Sequence, residues 1–104
     1  MQQLGFEMKI FPGMEEEYKK RHDDIWPRLT SLLQQTGISD YTIFLNESTG
    51  VLFGVLTISD QNAFDNLPEH PVMKEWWAYM KDIMYSNEDN SPVSIPLKKV
   101  FYMP

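Results

Sequence analysis

The sequence contains no cysteine among its 104 residues. A disulfide framework, a thiolate metal site and a thiol nucleophile are therefore excluded. The lack of cysteine is typical of a protein that works in the reducing cytoplasm, and we expect that location. The first residues, Met1–Glu7, lack the basic and apolar regions of a signal peptide, so we expect no secretion signal.

Positive charge is scarce and long apolar runs are missing. Nine Lys and Arg residues against 15 Asp and Glu residues give a net charge of −6. Nucleic acids favour a basic surface, so we expect no nucleic-acid partner. No apolar run approaches the roughly 20 residues that span a bilayer, which predicts no membrane partner. With no Gly-rich phosphate loop and no cluster at metal-ligand spacing, we expect neither a cofactor nor a metal.

The hydrophobic pattern predicts one α+β domain over residues 1–104. Alternation predicts a strand near residues 3–11, and apolar segments bounded by turn or loop residues predict strands near 41–45, 51–58 and 97–102. Helical spacing predicts a helical region from Met14 to Leu33, which Pro27 either kinks or restarts near Asp24 as a candidate N-cap, and further helices near 60–67 and 72–84. The order β-α-β-β-α-β indicates a ferredoxin-like fold with its helices on one face of the sheet.

The predicted hairpin, residues 41–45 and 51–58, alternates poorly and is apolar on both sides, which is typical of strands buried on both faces. A domain of this size also buries only about two-thirds of its unfolded surface. We therefore expect a second copy of the chain to cover the free face of the sheet, giving a homodimer.

The sequence offers only two histidines for acid–base chemistry near neutral pH. His22 follows Tyr18 by four residues, so both side chains share the apolar face of a helix, where desolvation can shift the pKa of a histidine. Spacing alone favours the simpler interpretation, a core histidine that is hydrogen-bonded to a backbone carbonyl. His70, in the segment Glu69-His70-Pro71, is typical of a loop residue.

Trp76 and Trp77 are adjacent, and on a helix their side chains project about 100° apart. Aromatic rings suit the C–H-rich faces of sugars, and an indole N–H can donate to a hydroxyl. With Tyr18 and Tyr41 also available, a sugar site is as good an explanation for the pair as a place in the core or in a dimer interface.

Two polar segments are less specific. The charged run Glu15–Arg21 is typical of a solvated helix face. The loop Asn87–Ser91 is rich in hydrogen-bonding groups and could close over a site, although such a segment is more often only a turn.

Four segments together resemble the L-rhamnose mutarotase family. Tyr18–Pro27, YKKRHDDIWP, is similar to the family's Y-x-x-R-H-x-x-I-W-P, and Glu75–Met80, EWWAYM, to its R-W-W-x-Y-M. Asn87–Ser94 and Val100–Pro104 resemble its N-x-D-N-S-P-V-S loop and its V-F-Y-L-P terminus. The resemblance covers the whole chain. The departures are Glu75, where a basic residue can occur, and Met103 in place of leucine.

The resemblance implies an isomerase that interconverts the α and β anomers of L-rhamnose, built as a dimeric α+β barrel. It implies that His22 is the catalytic proton donor and that Tyr18, Tyr41, Trp76 and Trp77 contact the sugar. Mutarotation opens and recloses a hemiacetal, which requires proton transfer and no metal or nucleotide. On this hypothesis the His22 imidazolium protonates the ring oxygen and Tyr18 positions the anomeric hydroxyl or relays its proton. The tryptophans form an apolar wall, and Tyr41 fixes a secondary hydroxyl.

Two other functions fit the same fold, because fold alone does not decide function. The fold also occurs in oxygen-using monooxygenases and in haem-degrading enzymes. A haem enzyme would use His22 as an axial ligand and the two tryptophans as the pocket lining, and would show a Soret band. A non-catalytic binding module would bind sugar without accelerating the exchange of its anomers.

Overall fold

A four-stranded antiparallel sheet carries all the helices on one face in the computed structural model, which describes residues 1–104. The strands have the spatial order β2-β3-β1-β4. This is the ferredoxin-like arrangement that the sequence predicts. In chain order the elements are β1 (Gln2–Lys9), α1 (Glu15–Asp23), α2 (Pro27–Gln35), β2 (Ile38–Asn46), β3 (Val51–Ile58), α3 (Gln61–Asn66), α4 (Pro71–Met80) and β4 (Ile95–Leu97). A 3₁₀ turn, Leu67–Glu69, joins α3 to α4.

The helical region expected from Met14 to Leu33 is two separate helices. Pro27 occupies the first position of α2, where its missing N–H costs nothing, and Trp26 before it is extended, with φ −62° and ψ 129°. Trp26 is therefore the N-cap of α2, and the prediction of Asp24 at that position is wrong. Asp24 instead ends α1.

The last strand is shorter and earlier than predicted. β4 spans only Ile95–Leu97 and pairs with Gly5, Phe6 and Glu7 of β1. Residues 98–104 include the apolar run Val100–Met103, but they belong to no strand of the sheet. This run therefore lacks a pairing partner inside one copy of the chain.

The core lies between the sheet and the helices. The burial of side chains alternates strictly along β3, whose buried positions towards the helices are Leu52, Gly54, Leu56 and Ile58. Opposite them pack buried residues from the helices and from the segment after α4: Tyr18, Leu29, Met73, Trp76, Met80, Ile83 and Met84. None of the helices has the length and apolar content needed to cross a membrane.

Candidate active site

A cavity of about 1170 Å³ opens between the helices and the inner face of the sheet. All five residues that the sequence predicts for the site line it, although they come from three different elements: Tyr18 and His22 from α1, Tyr41 from β2, and Trp76 and Trp77 from α4. The lining is mainly apolar with a few polar groups, which is the usual composition of a small-molecule site.

His22 lies in the last turn of α1 with one ring nitrogen fixed and the other free. Its Nδ1 is 3.0 Å from the backbone oxygen of Tyr18. A carbonyl oxygen only accepts, so Nδ1 carries the hydrogen and Nε2 of the neutral ring is the acceptor. Nε2 has no partner in the protein, and no buried side-chain nitrogen or oxygen is left unpaired, so Nε2 is open to solvent. The predicted hydrogen bond to a backbone carbonyl is thus present, yet Nε2 remains available as a base.

The surroundings of His22 favour the neutral ring. Burial lowers the pKa of the imidazole below its ordinary value, while the hydrogen bond to the Tyr18 carbonyl and the charge of Asp23 act in the opposite direction. His22 stacks on the Tyr18 ring, with centroids 4.3 Å apart, and meets the edge of Trp76 at 5.5 Å. These aromatic contacts hold the ring in one orientation, and burial favours the neutral form of the ring.

Tyr18 supplies a second polar atom to the cavity. The residue is only 7% exposed, but its hydroxyl has no protein partner and is therefore open to solvent. Burial, and to a lesser extent the neighbouring Tyr41, raises the pKa of the Tyr18 hydroxyl. The hydroxyl therefore keeps its proton at neutral pH and acts as a hydrogen-bond donor.

Tyr41 lies directly after an irregularity in strand β2. The pairing of β2 with β3 shifts between Ser39 and Thr42, and Asp40 has a φ of +51°. One extra residue in a strand reverses the alternation of side chains beyond it, so Ile38 before the bulge and Tyr41 after it both line the cavity. The Tyr41 ring meets that of Phe6 edge-on at 6.1 Å. Desolvation raises the pKa of the Tyr41 hydroxyl to about 12, so it too stays protonated.

The ring of Phe6 occupies the space above Gly54, its partner on β3. A Cβ on residue 54 would collide with that ring. The glycine therefore sets how close Phe6, and with it the contact to Tyr41, can lie to the sheet.

The two tryptophans differ in burial, as their angular separation on a helix requires. Trp76 is 6% exposed and packs edge-on against Trp26, at 5.0 Å, and against His22. Trp77 is half-buried at the rim of the same cavity. Trp76 thus supports the imidazole from the core side, and Trp77 offers the more accessible aromatic face.

The loop after α4 contributes lining residues that the sequence favoured only as a turn. Asn87, Ser91 and Ser94 all line the cavity. Asp89 accepts hydrogen bonds from the backbone and the side chain of Ser91, which fixes the loop. These polar groups are available for sugar hydroxyls, and only the composition of the loop pointed to them.

Arg21 is an exception to the predicted solvated charged face. Its side chain is only 11% exposed and forms an ion pair with Asp82 beyond the end of α4.

His70 lies at the N-terminus of α4, where its Nδ1 accepts a hydrogen bond from the backbone of Val72 at 3.3 Å. It lies outside the cavity lining, so Nε2 of His22 is the imidazole nitrogen in the cavity that could bind a proton or a metal.

Comparison with known proteins points to one family. A family model described as L-rhamnose mutarotase matches residues 3–103. An L-rhamnose mutarotase from Brucella anthropi is 58% identical over 103 residues, covering 99% of this chain and 97% of the relative. One from Sinorhizobium fredii is 54% identical with 99% of both chains covered. The crystal structure of an L-rhamnose mutarotase from Formosa agariphila superimposes over the full length of both chains, with a TM-score of 0.91 at 45% identity.

Proposed function

The chain belongs to the L-rhamnose mutarotase family, and from that premise we propose that His22 is the acid–base group of its reaction. The protein is an isomerase that interconverts the α and β anomers of L-rhamnose. The reaction opens the pyranose hemiacetal, lets C1 rotate about the C1–C2 bond and recloses the ring on the other face.

In the proposed mechanism, Nε2 of neutral His22 accepts the proton of the anomeric hydroxyl. The electrons of that O–H bond form the C1 carbonyl, and the bond between C1 and the ring oxygen breaks. The imidazolium then donates its Nε2 proton to the ring oxygen, which is bonded to the same carbon. Closure reverses both transfers after rotation. The expected imidazolium donor is thus generated within the reaction rather than present beforehand.

The other site residues bind and orient the sugar in this proposal. The Tyr18 hydroxyl, protonated at neutral pH, donates to the oxygen that carries the developing charge. Tyr41 binds a secondary hydroxyl, Trp77 stacks on the apolar ring face, and Trp76 holds the imidazole in place. The Tyr18 carbonyl keeps the proton on Nδ1 through the whole cycle.

One observation carries this proposal. In a cavity lined mainly by apolar side chains, the imidazole of His22 has its Nδ1 bonded to the protein and its Nε2 unpaired and accessible. An open nitrogen facing the cavity is what proton transfer to and from a bound sugar requires. A positioned acid–base group is worth roughly 10²- to 10⁴-fold in rate.

NMR saturation transfer between the α and β anomeric protons of L-rhamnose tests the proposal directly. We expect fast exchange with the wild-type protein and a loss of 10²-fold or more with His22→Gln, which keeps a polar side chain of similar length. Line broadening of the sugar without faster exchange in the wild type would instead indicate a binding module. Full activity of His22→Gln would refute the acid–base assignment.

We also propose that the enzyme works as a homodimer in the cytoplasm. The sheet face opposite the helices is uncovered, with Phe44 62% exposed, and Val100–Met103 form a run of apolar side chains that are 65–87% exposed. Exposed apolar surface of this kind marks an interaction site, and a second copy of the same chain would cover both. The absence of cysteine supports the location.

Sedimentation velocity at micromolar concentration tests the dimer. We expect a dimer for the wild type and for Ser31→Asp, which adds the same charge on the exposed surface of α2. Phe44→Asp should give a monomer, because it places a charge in the middle of the proposed interface. A monomeric wild type would refute the dimer.

A further inference from the structure

We infer that Arg21 is a positioning residue for the reaction, which locks the helix bearing His22 to the helix bearing the two tryptophans. The inference rests on the proposed function of His22. Arg21 precedes His22 in the last turn of α1, and it contacts neither the cavity nor the sugar site, since it is not among the lining residues.

The guanidinium of Arg21 makes four hydrogen bonds to three partners. Its Nε donates to Glu17 of the same helix at 2.8 Å. Its two terminal nitrogens donate to both carboxylate oxygens of Asp82, at 2.8 and 3.2 Å, and one also donates to the backbone oxygen of Tyr79 at 2.8 Å. Such a forked, bidentate arrangement requires the planar guanidinium and cannot be reproduced by lysine.

The chain before α1 is held to the segment after α4 by backbone bonds such as Phe11 N–H to Ile83 O, at 2.9 Å, whereas the bonds of Arg21 hold the last turn of α1 itself. The backbones of α1 and α4 make few close contacts, whereas α2 packs directly on α4. Every side-chain hydrogen bond between α1 and the segment from α4 to Asp82 comes from Arg21. The position of α1 relative to the tryptophans therefore depends on this one side chain and on aromatic packing.

The aromatic packing connects Arg21 to the imidazole by a second route. The guanidinium lies 4.4 Å from the centre of the Tyr79 ring. Tyr79 contacts Trp76 at 5.7 Å, and Trp76 meets His22 at 5.5 Å. A chain of contacts thus runs from Arg21 through Tyr79 and Trp76 to His22. Arg21 and His22 are adjacent in α1, so Arg21 helps to fix the imidazole from both sides.

The effect of Arg21 is on geometry rather than on charge. Its positive charge is matched by the Glu17 and Asp82 carboxylates. The causes that shift the pKa of His22 are burial, the Tyr18 carbonyl and Asp23, and Arg21 is not one of them. Loosening α1 would misplace Nε2 relative to a sugar held on α4 and β2, and a misplacement of about 1 Å can cost roughly 10²-fold in rate.

Arg28 provides a matched control within the same chain. It also joins a neighbouring helix to α4, through a 2.6 Å ion pair with Glu75, and it also lies over an aromatic ring, 4.6 Å from the centre of Trp26. Its side chain, however, is 56% exposed and α2 is already packed on α4. Replacing it removes a similar ion pair without releasing the helix that carries the imidazole.

The experiment compares Arg21→Lys and Arg28→Lys by saturation transfer at several L-rhamnose concentrations. For Arg21→Lys we expect kcat to fall about 10- to 100-fold with KM changed less than about 3-fold, while Arg28→Lys stays within about 2-fold in both. Millimolar guanidinium should restore part of the kcat of Arg21→Ala, and tetramethylammonium at equal ionic strength should not.

The outcomes are separable. Full activity of His22→Gln, measured in parallel, refutes the proposed role of His22, whatever the Arg21 variants show. An active wild type with an equally active Arg21→Lys refutes the positioning role. A variant with a lower melting temperature but unchanged kcat per folded molecule would show that Arg21 only stabilises the fold. Arg21→Lys keeps the charge, so the comparison remains valid if Arg21→Ala does not fold.

Discussion

Replacing Asp40 by valine should weaken sugar binding by moving Tyr41, even though residue 41 itself is unchanged. Ile38 and Tyr41 face the helices together only because the strand has a bulge between them, with Asp40 at φ +51°. Asp and Asn tolerate this left-handed region and Gly adopts it freely, whereas a β-branched residue is strained in it. Valine at this position therefore favours a regular strand, in which Ile38 and Tyr41 cannot both face the helices. Ile38 is only 6% exposed and Tyr41 is 40% exposed, so we expect Tyr41 to move.

The expected magnitudes follow from that geometry. Holding valine in the left-handed region costs about 1–3 kcal/mol, so the free energy of unfolding should fall by that amount. Losing the Tyr41 hydroxyl from the site removes a hydrogen bond worth about 0.5–1.5 kcal/mol, which corresponds to a roughly 2- to 10-fold rise in KM. Asp40→Asn and Asp40→Gly should keep the wild-type KM, because both permit the bulge.

Saturation transfer gives KM, and urea denaturation gives stability, for the three Asp40 variants and for Tyr41→Phe. Because Asp40 also lines the cavity, Asp40→Asn serves as the control for loss of its charge. Adding Asp40→Val to Tyr41→Phe should raise KM no further if both act through the same hydroxyl. The reasoning is refuted if Asp40→Val binds the sugar as well as Asp40→Asn does.

Two further predictions concern His22 and the tryptophans. Because burial lowers the pKa of His22, kcat/KM should be flat near pH 7 and should fall on acidification with a midpoint below 6.5. The unfolded chain binds a proton at the ordinary histidine pKa and the folded chain does not, so the free energy of unfolding should also fall as pH drops from about 6.5 to the native pKa. Activity that rises on acidification would show that a resting imidazolium is the acid. Trp77→Ala should mainly raise KM, whereas Trp76→Ala should lower stability by about 3–5 kcal/mol as well as activity, since Trp76 is only 6% exposed. Equal effects of the two substitutions on thermal unfolding would contradict this division.

The order and type of most elements could be predicted from local pattern, because alternation and helical spacing report which face of a segment is apolar. The ends of these elements were harder to predict from the sequence. Pro27 acts on the residue before it, so one helical region became two helices. Residues 98–104 include an apolar run typical of a strand, but pairing depends on a neighbour that a single sequence segment does not specify.

The candidate site residues could also be predicted from the sequence, through their residue types and the family resemblance. The i, i+4 spacing placed Tyr18 and His22 on one helix face, and the adjacent tryptophans had to differ in burial. What the sequence could not show was which ring nitrogen is free, because that depends on a backbone carbonyl one turn away.

Tertiary structure alone decided how residues distant along the chain meet. Ile38 and Tyr41 face the cavity together through a bulge whose left-handed residue, Asp40, has no distinctive local signal. Arg21 looked like part of a solvated charged run, since its partners Tyr79 and Asp82 lie about 60 residues later and only packing brings them within 2.8 Å. Local sequence patterns thus determined the secondary-structure elements and the reacting groups of this protein. The relative positions of these groups depended on long-range contacts, because a short-range pattern does not specify which distant residues will pack together.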